Sequence, residues 1–193
     1  RQVGCRSEDG ACTPGECIAG DAFVRRFGQL LTLRGQPYRF VGVGTWLLAF
    51  PGTCASIPVA QRPEFLRKAF DTLVDARVSV LRLYAFQTSA GPEGTDFSAL
   101  QAVVDEARRS GIRLIFLLDD IAGACGNEQR RDDLWLSTGY LAPEPGSPLS
   151  YRDWAVSLAQ HFHGEPTVLG YTLMHGLGGT SPEVLRAFVT DVG

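Results

Sequence analysis

The feature that most constrains this chain is an alternation in fixed order: a near-continuous apolar run, then a segment with apolar residues at helical spacing, four times over. Arg39–Gly44 (RFVGVG), Val78–Phe86 (VSVLRLYAF), Ile112–Leu118 (IRLIFLL) and Thr167–Met174 (TVLGYTLM) read as buried strands. Pro63–Ala76 carries Phe65, Leu66, Ala69, Phe70, Leu73 and Val74 on one helical face. A second helix, capped by Asp96 and closed at Gly111, carries Leu100, Val103, Val104 and Ala107. Ser150 with Asp153 forms a capping box for a third, with Trp154, Leu158 and Phe162 inward, and Ser181-Pro182-Glu183 starts a fourth that buries Val184, Leu185, Phe188 and Val189. Apolar strands joined through helices demand a parallel sheet covered by those helices.

Two architectures meet that demand, a doubly wound sandwich and a (β/α)8 barrel. The connections that follow strands are long, at Thr45–Arg62, Gln87–Thr95 and Asp119–Leu149, whereas those entering strands are short. Long loops gathered at strand C-termini describe the working face of a barrel. No glycine-rich phosphate loop follows any strand, which counts against a nucleotide-binding sandwich. The expected fold is therefore α/β, the first four βα units of a (β/α)8 TIM-type barrel. A β-hairpin precedes it (FVRRF, QLLTL and then PYRFVGV), and before that comes a short cysteine-rich segment. The implied division is 1–22 for the cysteine-rich segment and 23–193 for the half-barrel.

Four units leave the inner sheet face and two edges open, forgoing burial on the scale of a whole domain's stability. The expectation is that a C-terminal half or a protein partner completes the barrel, and that a chain beginning at Arg1 is processed or trimmed. Formal net charge is −3, from 18 basic and 21 acidic side chains, so no basic field exists to hold nucleic acid. No apolar run is long enough for a membrane span.

Cys5, Cys12 and Cys17 lie in a Gly- and Pro-rich stretch with too few apolar side chains to order itself by burial, and Cys54 and Cys125 lie in loops after the first and third strands. All five are disulfide candidates, which argues for a secreted, extracellular setting, and the odd count leaves one thiol over. A zinc site at the N-terminal cluster lacks ligands, because His161, His163 and His175 are all in the last third; no metal or other cofactor is expected.

LRGQPYRFVGVGTWLL, VSVLRLYAFQ, GIRLIFLLDD and VLGYTLMHG, in that order, resemble the first four strands of the endo-β-1,4-mannanases of glycoside hydrolase family 5. The resemblance runs from about Phe23 to the C-terminus, and Leu81-Arg82-Leu83-Tyr84 matches that family's strand-two stretch. It implies a general acid/base Glu at the end of strand four within an Asn-Glu-Pro motif. Here His175, Gly176 and Leu177 stand at those three positions, and the strand that carries the nucleophile lies beyond the four units. Retaining hydrolysis requires two carboxyl groups about 5 Å apart, and Gly176 can neither donate a proton nor attack. No catalytic residue is therefore assigned. The implied protein is a secreted, catalytically impaired relative that binds glycan or serves as a structural component of an extracellular assembly. The alternative is an active endo-β-mannanase-type hydrolase completed by a missing half.

Six residues are the expected substrate-binding set: Trp46, Arg82, Tyr84, Asp119, Asp120 and His175. Trp46 and Tyr84 follow strands one and two, where rings could stack on sugars or simply pack. For Asp119 and Asp120, a direct catalytic role, glycan or ion binding, and hydrogen bonding to loop backbone all stay open. Only one of these neighbours can face the barrel mouth. Arg82, in an apolar strand, reads as a buried guanidinium in need of an anion, with Asp119 or Asp120 nearest by topology. His175 stands where a sugar-contacting amide is implied, or else it bonds a neighbouring loop.

Overall fold

In the computed structural model, residues 18–20, 22–48, 61–91, 93–123, 131–143, 148–177 and 179–193 are described. All five cysteines, and with them every disulfide candidate, lie outside the described residues.

The N-terminal hairpin is a three-stranded antiparallel sheet, β1 (Val24–Phe27), β2 (Leu30–Leu33) and β3 (Gln36–Pro37). The second sheet holds β4 (Gly42–Thr45), β5 (Val80–Tyr84), β6 (Arg113–Leu117) and β7 (Val168–Thr172) in consecutive order, every pair parallel. A doubly wound sheet reverses its strand order at a switch point, whereas a barrel adds each strand beside the last. The observed order is that of a partial TIM-like fold. Helices α1 (Arg62–Asp75), α2 (Ser98–Arg109) and α4 (Tyr151–His161) lie in the crossovers, and α5 (Pro182–Val192) follows β7.

Alternation along the strands sorts the side chains onto two faces. Leu81 and Leu83 of β5 join Leu114 and Phe116 of β6 in one core with Phe70 of α1, Val103 of α2 and Trp154 of α4. Val80, Arg82 and Tyr84 share the opposite face with Arg113, Ile115 and Leu117, by the register Val80↔Arg113, Arg82↔Ile115 and Tyr84↔Leu117. That inner face is mixed: Val80, Arg113 and Leu117 are buried, whereas Arg82, Tyr84 and Ile115 are half-buried.

The capping signals hold for the last two helices. Ser150 Oγ accepts from the Asp153 N–H at 3.0 Å and donates to the Asp153 carboxylate at 2.7 Å. Ser181 Oγ accepts from the Val184 N–H at 3.3 Å. Asp96 sits one residue outside the expected cap: Phe97 occupies the cap position, and Asp96 Oδ1 accepts from the Ser98 N–H at 2.9 Å.

Three expectations are corrected. PYRFVGV is not one strand but splits into β3 and β4. The strand expected to be buried at Arg39–Gly44 is β4 at the sheet's edge, with Val41 62% and Val43 40% exposed, because β5 is its only neighbour among the described residues. The long connection after β6 contains a short helix, α3 (Asp133–Ser137), whose N-cap Asp132 accepts from the Trp135 N–H at 2.8 Å. Trp135 carries the Tyr140, Tyr151 and Phe188 rings around it, so α3 seals the region between α4 and α5.

Phe116, wholly buried at the centre of β6, and Ser150 report on different scales. Phe116→Ala should lower unfolding free energy by about 3–5 kcal/mol and Ser150→Ala by about 1 kcal/mol in urea titrations. Equal losses would contradict this placing of the core.

Candidate functional site

The C-terminal ends of β5, β6 and β7 bring five of the six expected residues together, because the parallel pairing continues past the strands. The His175 N–H donates to the Asp119 carbonyl at 2.9 Å and the Ile121 N–H to the His175 carbonyl at 3.0 Å. This ladder ties the loop after β6 to the end of β7.

The two aspartates diverge, as neighbours on extended chain should. Asp119 turns toward α3 and α4: its Oδ2 accepts from Arg131 Nε at 3.0 Å, and both side chains are almost wholly buried. Asp119 Oδ1 also accepts from the Asp120 N–H at 2.7 Å, and the Arg131 guanidinium lies over the Trp135 ring at 4.4 Å. Both charges of this pair are matched inside the protein, which burial requires. Tyr151 packs beside the pair and donates its hydroxyl to the Leu173 carbonyl. Burial pushes its phenol well above the ordinary value; Asp119 adds to the rise and Arg131 opposes it.

Asp120 turns the other way. Its Oδ1 accepts from the Ala122 N–H at 2.7 Å, closing the turn that follows. It also acts on Tyr84, whose hydroxyl is raised chiefly by burial and then by the Asp120 charge, with Arg82 opposing. Tyr84 stacks on Phe86 at 4.7 Å between centroids.

Arg82 differs from its expectation. It is half-buried, and no described carboxylate lies within salt-bridge distance; Asp119 is taken by Arg131 and Asp120 by loop backbone. Its Nη2 instead lies 3.3 Å from His175 Nδ1. A guanidinium only donates, so Nδ1 accepts and the imidazole proton sits on Nε2, leaving that N–H as a donor. Trp46, just past β4 and 47% exposed, lies level with Tyr84 if the register Thr45↔Leu83 is extended by one residue.

Gly176 adopts φ +80°, and a Cβ built there would meet Ile121 Cγ2 at 3.0 Å. The left-handed backbone and the crowded Cβ direction both oppose any side chain at the position that the resemblance aligns with the acid/base Glu.

Arg131, Trp135 and Tyr151 escaped the sequence reading. The one signal for them was Asp132 three residues before Trp135, an N-cap spacing inside what otherwise reads as loop. His161 stacks on Phe97 at 4.3 Å and belongs to α4 packing. Among the described residues no three His, Cys, Asp or Glu side chains converge as metal ligands, and no helix is long and apolar enough to cross a membrane.

No protein-family profile and no curated protein matches the chain. A solved structure described as "Crystal Structure of a glycoside hydrolase" is similar, with TM-score 0.51 and 16% identity over 80% of this chain and 48% of that one. The chain thus spans about half the length of that structure. At this identity the likeness establishes a glycoside-hydrolase-like fold.

Removing one partner of the Asp119–Arg131 pair should cost about 3–5 kcal/mol. Asp119→Asn and Arg131→Met should each show that loss in chemical unfolding, and the double variant should lose much less than their sum. Additive losses would mean that the two charges do not depend on each other.

The raised Tyr151 phenol gives stability a pH dependence of known sign. Folded protein keeps this proton where unfolded chain, at the ordinary value of 10.0, begins to lose it. The contribution is full below that value and falls as pH rises past it. Tyr151→Phe, less stable near neutrality by about 1 kcal/mol for the lost hydrogen bond, should show a flatter decline from about pH 9 to 11.

Proposed function

We propose that this chain is a carbohydrate-binding relative of the family 5 endo-β-mannanases that holds glycan at its strand C-termini without cleaving it. The observation that carries this reading is the backbone at Gly176, φ +80° with Ile121 against the Cβ direction. Acid catalysis at that position needs a carboxylate where this chain has glycine, in a backbone conformation that side chains rarely adopt and with Ile121 crowding the Cβ direction. Asp119 is no substitute, since Arg131 and the Asp120 N–H use both its oxygens.

What the face offers is recognition chemistry. Arg82 and the Nε2–H of His175 donate to hydroxyls, Asp120 accepts from them, and Trp46 and Tyr84 supply ring faces for the apolar side of a pyranose. An extracellular setting is part of the proposal, supported by the five cysteines. So is completion of the barrel by four further βα units, from a partner or from the same polypeptide; the exposed β4 edge and the 48% coverage of the similar structure support it.

The same coverage supports one alternative, an active endo-β-mannanase-type enzyme whose nucleophile comes from the other half and whose acid is rebuilt from Asp120. Calorimetric titration of the complete native protein with β-mannan and β-glucan oligomers separates the readings, with chromatography of the products. Saturable binding without cleavage is expected, weakened at least about tenfold by Arg82→Ala or His175→Ala, each removing a donor to a bound hydroxyl. Cleavage that disappears in Asp120→Asn would establish the alternative.

A further inference from the structure

At the opposite end of the parallel sheet, a cavity of about 420 Å³ lies where the antiparallel sheet meets the strand N-termini. Its volume falls in the range of small-molecule sites, and its lining has two characters. Ile18, Leu33, Phe40 and Val41 make an apolar wall, while Arg39, Arg77 and Arg113 bring three positive charges; no Asp or Glu among the described residues lines it.

The three arginines are built into the fold in different ways. Arg113 is 3% exposed, donates to the Pro166 carbonyl and lies over the Tyr38 ring at 5.7 Å. Arg39 and Arg77 are exposed, and no described carboxylate pairs with either. Arg77 also stands in a backbone position that disfavours it. The turns that lead from α1 into β5, from α2 into β6 and from α4 into β7 each contain one left-handed residue, Arg77 at φ 56°, Gly111 at φ 70° and Gly164 at φ 80°. Two of the three use glycine, which takes this conformation freely. The third places a long cationic side chain there against the steric preference, and Arg77 lines the cavity together with Gly111 of the second turn.

We propose that this floor cavity binds a small amphipathic anion: a carboxylate held by Arg39 and Arg77, with its short apolar body against Phe40 and Val41. Arg39 and Arg77, which pair with no carboxylate among the described residues, favour an anionic head, and the apolar wall favours a hydrocarbon or aromatic tail over a sugar. The site is separate from the glycan face, which lies at the other end of the strands.

Octanoate and octanol serve as matched probes, titrated calorimetrically into the whole chain. Octanoate should bind saturably, and octanol at least tenfold more weakly. Arg77→Gly is the informative variant, because glycine suits φ 56° and should leave the thermal midpoint unchanged or raised. It should nonetheless weaken octanoate about tenfold, the loss of one charge-assisted hydrogen bond, and leave octanol unaffected. Amide resonances of Ser79 and Gly111 should shift on octanoate addition, while those around Arg82 and His175 stay in place. Absence of saturable octanoate binding, equal affinity for octanol, or wild-type octanoate affinity in both Arg77→Gly and Arg39→Gln would overturn the proposal.

Discussion

Parallel pairing of β4 through β7 is the constraint on which the rest depends. Two parallel neighbours can be joined only if the chain returns to its starting end after every strand. Each return runs through a helix, so α1, α2 and α4 cover one face, and Leu81, Leu83, Leu114 and Phe116 turn toward them. All the strand C-termini consequently gather at one end and all the N-termini at the other. That polarity puts Tyr84, Asp120 and His175 within reach of one another although they are far apart in sequence, and it collects Arg39, Arg77 and Arg113 at the opposite end.

At the C-terminal end, charge pairing decides what the residues can do. Burial of Asp119 is tolerable because Arg131 meets one carboxylate oxygen and the Asp120 N–H the other. Once those oxygens are used, the polar side chain that Arg82 meets among the described residues is the His175 imidazole. The groups at that end are then Arg82 and His175 as donors, Asp120 as an acceptor, and the rings of Trp46 and Tyr84. A glycoside-hydrolase-like fold and the proposed binding without cleavage are compatible, because a fold fixes where a site lies and the site's own residues fix its chemistry.

Much of the fold was legible because parallel strands write unbroken apolar runs and helices write a separate period, while the barrel-type strand order followed from the long loops after the strands and the absence of a phosphate loop. The burial of β4 was misread for a physical reason: an edge strand and a central strand spell the same apolar letters, and only the missing neighbour exposes Val43. The site was legible as a list of residues at strand ends but not as a set of partners. Asp119 and Arg131 are twelve positions apart across irregular chain, where no periodicity indicates that two side chains meet. The opposite directions of Asp119 and Asp120 followed from strand alternation, yet which of them faced Tyr84 depended on backbone geometry just beyond β6, which composition does not record.

The ladder that joins Asp119 and Ile121 to His175 has a dynamic consequence. Loops at a barrel mouth ordinarily open independently of the strands beneath them, on their own fast timescale. Here the segment after β6 and the end of β7 share main-chain hydrogen bonds that continue those of the sheet. Neither can swing aside alone, so Asp120 and His175 separate only when the last rungs between β6 and β7 break. Residues 119–121 and His175 therefore behave as a rigid extension of the sheet, a surface already formed at this end of the strands.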